Sequence, residues 1–170
     1  MSVSLRQVDR LHAGVLSALH VESFGPAGWS ETAVSEVLAM PGAFGFLVLE
    51  GETPLGFVLA RLAADECEIL ALAVTPGARG RGLARALLDA ALRRAADGCA
   101  RVVHLEVSEE NHAARALYES RGFRKAGRRA AYYRGSRGES SAALILNLAL
   151  CEEDGKSAQG SQRPDGLPLC

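Results

Sequence analysis

The most informative segment of the sequence is Leu70-Ala71-Leu72-Ala73-Val74-Thr75-Pro76-Gly77-Ala78-Arg79-Gly80-Arg81-Gly82-Leu83-Ala84. Its apolar first half is typical of a strand, and Pro76-Gly77 ends that strand. From Leu83 onward apolar residues recur at helical spacing as far as Asp97, which predicts a helix. The order is therefore strand, glycine-rich loop, helix.

A loop of this kind can bind phosphate. The first backbone N–H groups of a helix have no intrahelical partner and carry the positive end of its dipole. Gly80 and Gly82 would let an anion approach, and Arg79 and Arg81 add positive charge. A glycine-rich turn that only exposes two arginines remains the alternative.

Two common phosphate motifs do not fit this loop. The lysine and serine or threonine that end a Walker loop are missing. A dinucleotide fingerprint would need glycine where Arg85 stands, and it normally follows an early strand, whereas several strands precede this loop.

Patterns elsewhere predict one α/β domain over residues 1–150, with a mixed, mostly antiparallel sheet of about seven strands and about four helices. Strands are expected at 3–8, 44–50, 55–62, 67–74, 101–108, 123–134 and 142–150, and helices at 9–24, 30–41, 82–97 and 111–122. Residues 151–170 carry almost no apolar side chains, so a disordered tail is predicted.

Composition narrows the class of protein. With 170 residues, 48% of them hydrophobic, the chain is large enough for one core and too short for two. A net charge of −1 argues against a DNA-binding coat or an anionic-membrane binder, so the expected partners are small molecules or peptides. The chain has no apolar run of about 20 residues and begins without a signal-peptide core, which favours a soluble cytoplasmic protein and leaves the oligomeric state open.

Cysteine and histidine spacing predicts no metal site. The four cysteines are too scattered for a zinc pattern or a redox pair, and Cys67 and Cys99 are expected to be buried or half-buried thiols. The four histidines likewise lack ligand spacing.

Two later segments place polar residues where they could meet a ligand. In the strand at 101–108, Glu106 lies on the face opposite Val103, Leu105 and Val107. Asn111 begins a helix that carries Tyr118, about two turns further on and on the same side, so one ligand could touch both.

Together these motifs resemble the GNAT superfamily of N-acetyltransferases. The family's coenzyme motif, Gln/Arg-x-x-Gly-x-Gly/Ala, is matched by 79–84, and the resemblance continues through Leu105-Glu106-Val107, Asn111 and the segment 116–123. It implies acetyl-CoA as the cosubstrate, with no metal. The coenzyme-binding residues that it implies are Leu72, Ala73, Val74, Arg79, Gly80, Arg81, Gly82, Leu83, Ala84, Arg85, Asn111 and Tyr118.

The resemblance also implies catalytic roles. Glu106 would take a proton from the acceptor amine, directly or through a water, because only the free base attacks a thioester. Tyr118 would protonate the leaving coenzyme thiolate. The pantetheine arm would pair with Leu72 to Val74 like an added strand, and the Val74 N–H would polarise the thioester carbonyl.

Over 4–150 the chain resembles the bacterial ribosomal-protein-alanine acetyltransferases, through Trp29-Ser30-Glu31 and Tyr132-Tyr133. This similarity implies a protein N-terminus as the acceptor, the alanine of a small-subunit ribosomal protein, with Trp29, Tyr132 and Tyr133 as substrate-binding candidates. Departures at 25–28 and 140–141 keep two acceptors open, a lysine side chain and a small amine, and a non-catalytic coenzyme-binding module is a third hypothesis.

Positive charge is concentrated after the last predicted helix. The residues are Arg121, Arg124, Lys125, Arg128, Arg129, Arg134 and Arg137. A solvated pair of strand arms and a docking patch for an acidic peptide, ribosomal RNA or the coenzyme phosphate are both compatible with this cluster.

Overall fold

A computed structural model of the chain describes residues 2–134 and 140–150, and the predicted tail at 151–170 lies outside them. The side chains of 131–134 and 140–141 are also outside the described part. The strands are β1 (Val3–Gln7), β2 (Ala43–Glu50), β3 (Thr53–Ala63), β4 (Glu66–Val74), β5 (Val102–Ser108), β6 (Arg124–Arg134) and β7 (Ser140–Ala149). The α-helices are α1 (Ala13–Phe24), α2 (Glu31–Ala39), α3 (Leu83–Asp97) and α4 (His112–Ser120).

The seven strands form one sheet in the order β1-β2-β3-β4-β5-β7-β6. Only β4 and β5 pair in parallel, and every other neighbouring pair is antiparallel. With four α-helices in the described residues, this confirms the predicted mixed, mostly antiparallel α/β fold.

Helices cover both faces of the sheet. Side chains of a strand alternate between faces, so Val58 packs with α3 residues such as Leu87 and Leu88, whereas Phe57 packs with Leu16 of α1 on the other face. All five side chains are at most 1% exposed. Burial of each such side chain stabilises the fold by roughly 1.5–3 kcal/mol.

Local capping explains where several helices begin. Ser30 Oγ accepts a hydrogen bond from the Ala33 N–H at 3.2 Å, which fixes the start of α2 as predicted. The helix predicted from residue 9 instead begins with a separate 3-10 turn at Arg10–His12, because the Asp9 carboxylate accepts from the Leu11 N–H at 2.9 Å.

The two cysteines that fall within the described residues differ in solvent exposure. Cys67 is fully buried in β4, as expected, but Cys99 is exposed, so the prediction for Cys99 is wrong. Cys99 lies in the turn that follows α3, with φ +60°, and not on the apolar face of the helix.

β4 and β5 separate part of the way along their length. Their register runs from Glu66↔Val102 to Ile69↔Leu105 and stops there, although β4 continues to Val74 and β5 to Ser108. Opposite β3 the partners change from Ala60↔Ile69 to Leu59↔Ala71, which leaves Leu70 as an extra, bulged residue. The gap between 70–74 of β4 and 106–108 of β5 is called the wedge below.

Candidate active site

A cavity of about 510 Å³ opens beside the wedge, within the usual size range of small-molecule sites. Five parts of the chain line it: the end of α1, β4, the glycine-rich loop, the start of α3 and α4. The lining residues are Ser23, Phe24, Leu72, Ala73, Val74, Ala78, Arg79, Gly80, Gly82, Leu83, Ala84, Arg85, Asn111, Ala113, Ala114, Leu117 and Tyr118.

The glycine-rich loop adopts a conformation that favours glycine. Gly80 and Gly82 both have φ +77°, in the left-handed region, and a Cβ on either would meet no atom within 4 Å. The backbone therefore requires glycine while the space above it stays open. Gly82 is the N-cap of α3, so the first N–H groups of the helix face this open space.

The two arginines of the loop point to different places. Arg79 lines the cavity, and its Nε donates to the Val74 carbonyl oxygen at 3.2 Å. Arg81 does not line the cavity, and its Nη2 lies 2.5 Å from Glu50 Oε1 on β2. Of the twelve residues predicted to bind the coenzyme, Arg81 alone is not brought to the cavity wall.

The strand part of the site is the end of β4. The N–H of Thr75 donates to the Leu55 carbonyl, toward β3, at 2.9 Å. Successive residues of a strand alternate in direction, so the N–H of Val74 points the other way, into the wedge. It is available on the side where β5 has already separated from β4.

The helical wall is α4, which begins and ends with candidate residues. Asn111 is its N-cap, and its Oδ1 accepts from the Ala114 N–H at 3.1 Å. Tyr118 is 7% exposed and packs edge-on against Phe123, with ring centroids 5.7 Å apart. Both line the cavity, so the predicted helical spacing does bring Asn111 and Tyr118 to one site.

Glu106 lies on the other side of the wedge. Val103, Leu105 and Val107 are buried toward α3, whereas the Glu106 side chain is on the opposite face of β5 and 27% exposed. Its Oε1 lies 2.9 Å from Arg129 Nη2. Glu106 is not one of the cavity-lining residues, so the site consists of a cavity for one ligand and a separate carboxylate beside the wedge.

Some lining residues were not predicted. Ala114 lies three positions after Asn111 and four before Tyr118, and Leu117 lies three after Ala114, so helical spacing alone could have indicated both. Ser23 and Phe24 carry no such signal, because they reach the cavity only through the way α1 packs against β4.

Of the predicted acceptor-site aromatics, Trp29 is described by the structure and does not line the cavity. The Trp29 ring stacks on His20 with ring centroids 4.9 Å apart. The backbone N–H of Trp29 donates to His20 Nδ1 at 3.1 Å, and its backbone carbonyl accepts from Ser17 Oγ at 2.8 Å. These contacts anchor Trp29 to α1. Tyr132 and Tyr133 belong to β6, and their side chains lie outside the described residues.

Several cations of the basic cluster have acidic partners. Arg121 is paired with Asp89 at 2.6 Å, Arg128 with Glu109 at 2.9 Å, and Arg129 with Glu106. The Arg128 guanidinium lowers the pKa of the Glu109 carboxyl below its usual value. The side chains of Arg134 and Arg137 fall outside the described part.

The described part of the chain has neither a metal-binding cluster nor a membrane-spanning helix. Among residues 2–134 and 140–150, no group of three or more histidine, cysteine or acidic side chains could hold a metal ion. In the same part of the chain, no helix is long and apolar enough to cross a membrane.

Comparison with known proteins assigns the family. The sequence model of the Acetyltransferase (GNAT) family matches residues 15–123. The N-alpha-acetyltransferase RimI of Mycobacterium tuberculosis is 35% identical over 137 residues, covering 78% of this chain and 85% of that protein. This chain therefore belongs to the GNAT acetyltransferase family.

Two further comparisons are with proteins of Escherichia coli. The ribosomal protein bS18 alanine N-acetyltransferase of Escherichia coli is 35% identical over 89 residues, 52% of this chain and 60% of that one. The crystal structure of the ribosomal-protein-alanine N-acetyltransferase from Escherichia coli covers 92% of this chain and 100% of its own, with a TM-score of 0.82 at 24% identity. The structural match establishes the same fold.

A shorter stretch matches a different kind of acetyltransferase. The mycothiol acetyltransferase of Beutenbergia cavernae is 58% identical over 57 residues, which is 33% of this chain and 19% of that protein.

Proposed function

We propose that this chain is an enzyme that transfers the acetyl group of acetyl-CoA to the N-terminal α-amine of a protein, and that its acceptor is the N-terminal alanine of a small-subunit ribosomal protein. The enzyme would act in the cytoplasm, where ribosomal proteins are made. The observation that carries the proposal is the cavity itself, in which a helix start, an open strand edge and a tyrosine meet beside a carboxylate.

The loop and the start of α3 would hold the coenzyme pyrophosphate. Gly80 and Gly82 leave the space over the α3 N-terminus open, and the unpaired N–H groups there favour an anion. Arg79 and Arg85 line the same wall and add positive charge.

The wedge would hold the pantetheine arm and the thioester. Leu72, Ala73 and Val74 line the cavity, and this part of β4 is not paired with β5. An extended amide chain can therefore pair with its free edge. The Val74 N–H, which points into the wedge, would donate to the thioester carbonyl. One such donor contributes about 3–4 kcal/mol in other acyl transfers.

Two side chains would move the protons. Glu106, from the other side of the wedge, would take a proton from the acceptor amine, directly or through water, as the amine nitrogen bonds to the acetyl carbon. As the carbon–sulfur bond breaks, Tyr118 would give its phenolic proton to the coenzyme thiolate. A general acid or base contributes a factor of about 10²–10⁴ in rate.

The names of the relatives support an N-terminal acceptor. One relative is named an N-alpha-acetyltransferase and another an alanine N-acetyltransferase of a ribosomal protein. The match to the mycothiol acetyltransferase supports a second candidate, a small-molecule acceptor, through a shorter shared segment.

A panel of acceptors tests the proposal. Steady-state rates with acetyl-CoA would be measured for peptides that differ in the first residue, for the same peptides with blocked N-termini, and for free small amines. We expect turnover of the unblocked alanine peptide and its loss on blocking. Preference for a free amine would favour the small-molecule candidate.

Two variants separate the enzyme from a coenzyme-binding module. Glu106→Gln and Tyr118→Phe should each reduce kcat for the alanine peptide by about 10²-fold or more and change acetyl-CoA binding less. Parent rates in both variants would show that the catalytic assignment is wrong.

A further inference from the structure

The pairing of Glu106 with Arg129 bears on which amine the site accepts. The two residues belong to strands that are not neighbours, since β7 lies between β5 and β6. Glu106 is opposite Ile145 of β7, and Arg129 is opposite Ala143. Residues two apart on a strand share a face, so Glu106, Ile145, Ala143 and Arg129 all lie on one face of the sheet.

Arg129 therefore reaches Glu106 across β7. Two strand spacings amount to roughly 10 Å, which the arginine and glutamate side chains cover together. Ala143 keeps the crossing free of a bulky side chain, and Arg129 Nη2 comes within 2.9 Å of Glu106 Oε1. The face also carries His104, next but one to Glu106 on β5, and Glu68 opposite His104 on β4.

The pair is accessible to an incoming acceptor. The side chain of Glu106 is 27% exposed and that of Arg129 is 53% exposed. With Arg129 beside it, the negative charge of Glu106 is largely balanced. The site then offers little attraction to an amine that arrives as a cation.

We infer that Arg129 is a specificity-determining residue that makes the site select an N-terminal α-amine over a lysine side chain. The inference rests on the proposed function. A neutral amine is needed for attack, and the reference pKa is about 7.7–8.0 for an α-amine but about 10.4 for lysine. With Arg129 in place, the site favours the α-amine, which is already partly neutral near pH 7.5. Without Arg129, the negative charge of Glu106 would attract and deprotonate the α-amine and the lysine side chain alike.

Two peptides of otherwise identical sequence measure this selection. One has a free N-terminal alanine and no lysine, and the other has a blocked N-terminus and a single lysine at the third position. The quantity is the ratio of kcat/KM for the first peptide to that for the second, at pH 7.5 and saturating acetyl-CoA.

Arg129→Gln should lower this ratio about five-fold, the factor that corresponds to an ion pair worth about 1 kcal/mol. Arg129→Lys, which keeps the positive charge, should retain the parent ratio. Arg128→Gln is the matched control, because Arg128 is the adjacent arginine and is paired with Glu109 instead. It should leave the ratio unchanged.

Each outcome decides the question. If the parent protein prefers the lysine peptide, the proposed function and this inference are both wrong. If the parent prefers the free N-terminus and Arg129→Gln keeps that preference, only the inference is wrong. Equal losses for both peptides would mean that Arg129 has a structural role alone, and a lowered ratio in Arg129→Lys would likewise contradict selection by charge.

Discussion

Arg121 Nη2 lies 2.6 Å from Asp89 Oδ1, and this ion pair joins the end of α4 to the middle of α3. The two helices provide separate walls of the cavity, and this ion pair connects them. Both side chains are mostly buried, at 15% and 22% exposed.

Asp89→Asn should therefore destabilise the protein and loosen the coenzyme site. The variant leaves a buried guanidinium without its counter-ion, which we expect to cost about 1–3 kcal/mol of unfolding free energy. The KM for acetyl-CoA should rise more than kcat falls. Denaturant unfolding and steady-state kinetics measure the two effects.

Glu119→Gln is the control for that experiment. Its partner Arg115 is 3.9 Å away on the same helix, and Glu119 is 59% exposed, so its loss should cost less than about 0.5 kcal/mol. Equal destabilisation by Asp89→Asn and Glu119→Gln would show that the α3–α4 pair has no special role.

Replacing Gly82 should damage the loop in a way that replacing Gly77 does not. Gly82→Ala forces an L-residue to φ +77°, at a cost of about 1 kcal/mol, and should raise the KM for acetyl-CoA. Gly77 lies in the same loop, has no positive φ, and a Cβ there meets nothing within 4 Å. In thermal unfolding and steady-state kinetics, Gly82→Ala should show the lower melting temperature and the higher KM, and Gly77→Ala should resemble the parent. Equal effects of the two substitutions would contradict a requirement for glycine at position 82.

Burial of His20 predicts a loss of stability in mild acid. His20 is 8% exposed, and desolvation lowers its pKa below the ordinary value of 6.5. The unfolded chain then binds a proton more readily than the folded one, so this stabilisation is present above about pH 6.5 and declines as the pH falls below it. The pKa values of Asp9 and Glu109 are lowered from 3.8 and 4.5, so their contributions to stability are lost only at lower pH than that of His20.

The melting temperature at pH 7.5 and at pH 5.5 tests this effect. From pH 7.5 to pH 5.5 the melting temperature of the parent protein should fall more than that of His20→Gln. The amide oxygen of the new glutamine can still accept from the backbone N–H of Trp29. His112→Gln, at an exposed position at the start of α4, serves as the comparison. An unchanged pH dependence in His20→Gln would contradict the assignment.

Thiol labelling should distinguish Cys67 from Cys99. Cys67 is 0% exposed, and burial raises the pKa of its thiol to about 12, so almost no thiolate is present at pH 8. Cys99 is exposed. Brief iodoacetamide treatment followed by peptide mapping should show modified Cys99 and unmodified Cys67, with both modified after denaturation; native labelling of Cys67 would contradict its burial.

The fold was predictable because its signals are local. The helical spacing after Leu83, the alternation along β5 and the caps at Ser30 and Asn111 each depend on a few neighbouring residues, and the structure has those elements within about two residues of the predicted bounds. The loop between β4 and α3 was predictable for the same reason.

The remainder of the site depends on contacts between distant residues. The bulge at Leu70 and the separation of β4 from β5 follow from sheet packing, which no local pattern encodes. Arg81 was expected at the cavity but pairs with Glu50, 31 residues earlier, and Arg129 reaches Glu106 across an intervening strand. Neither ion pair can be recognised without the tertiary structure.

The most direct test of the account is a calorimetric titration of acetyl-CoA into the folded protein. We expect saturable heat with one site per chain, and weaker binding when Gly82 is replaced by alanine, because the open α3 N-terminus would hold the pyrophosphate. Absence of binding heat from a protein with an intact melting transition would contradict the assignment of this cavity.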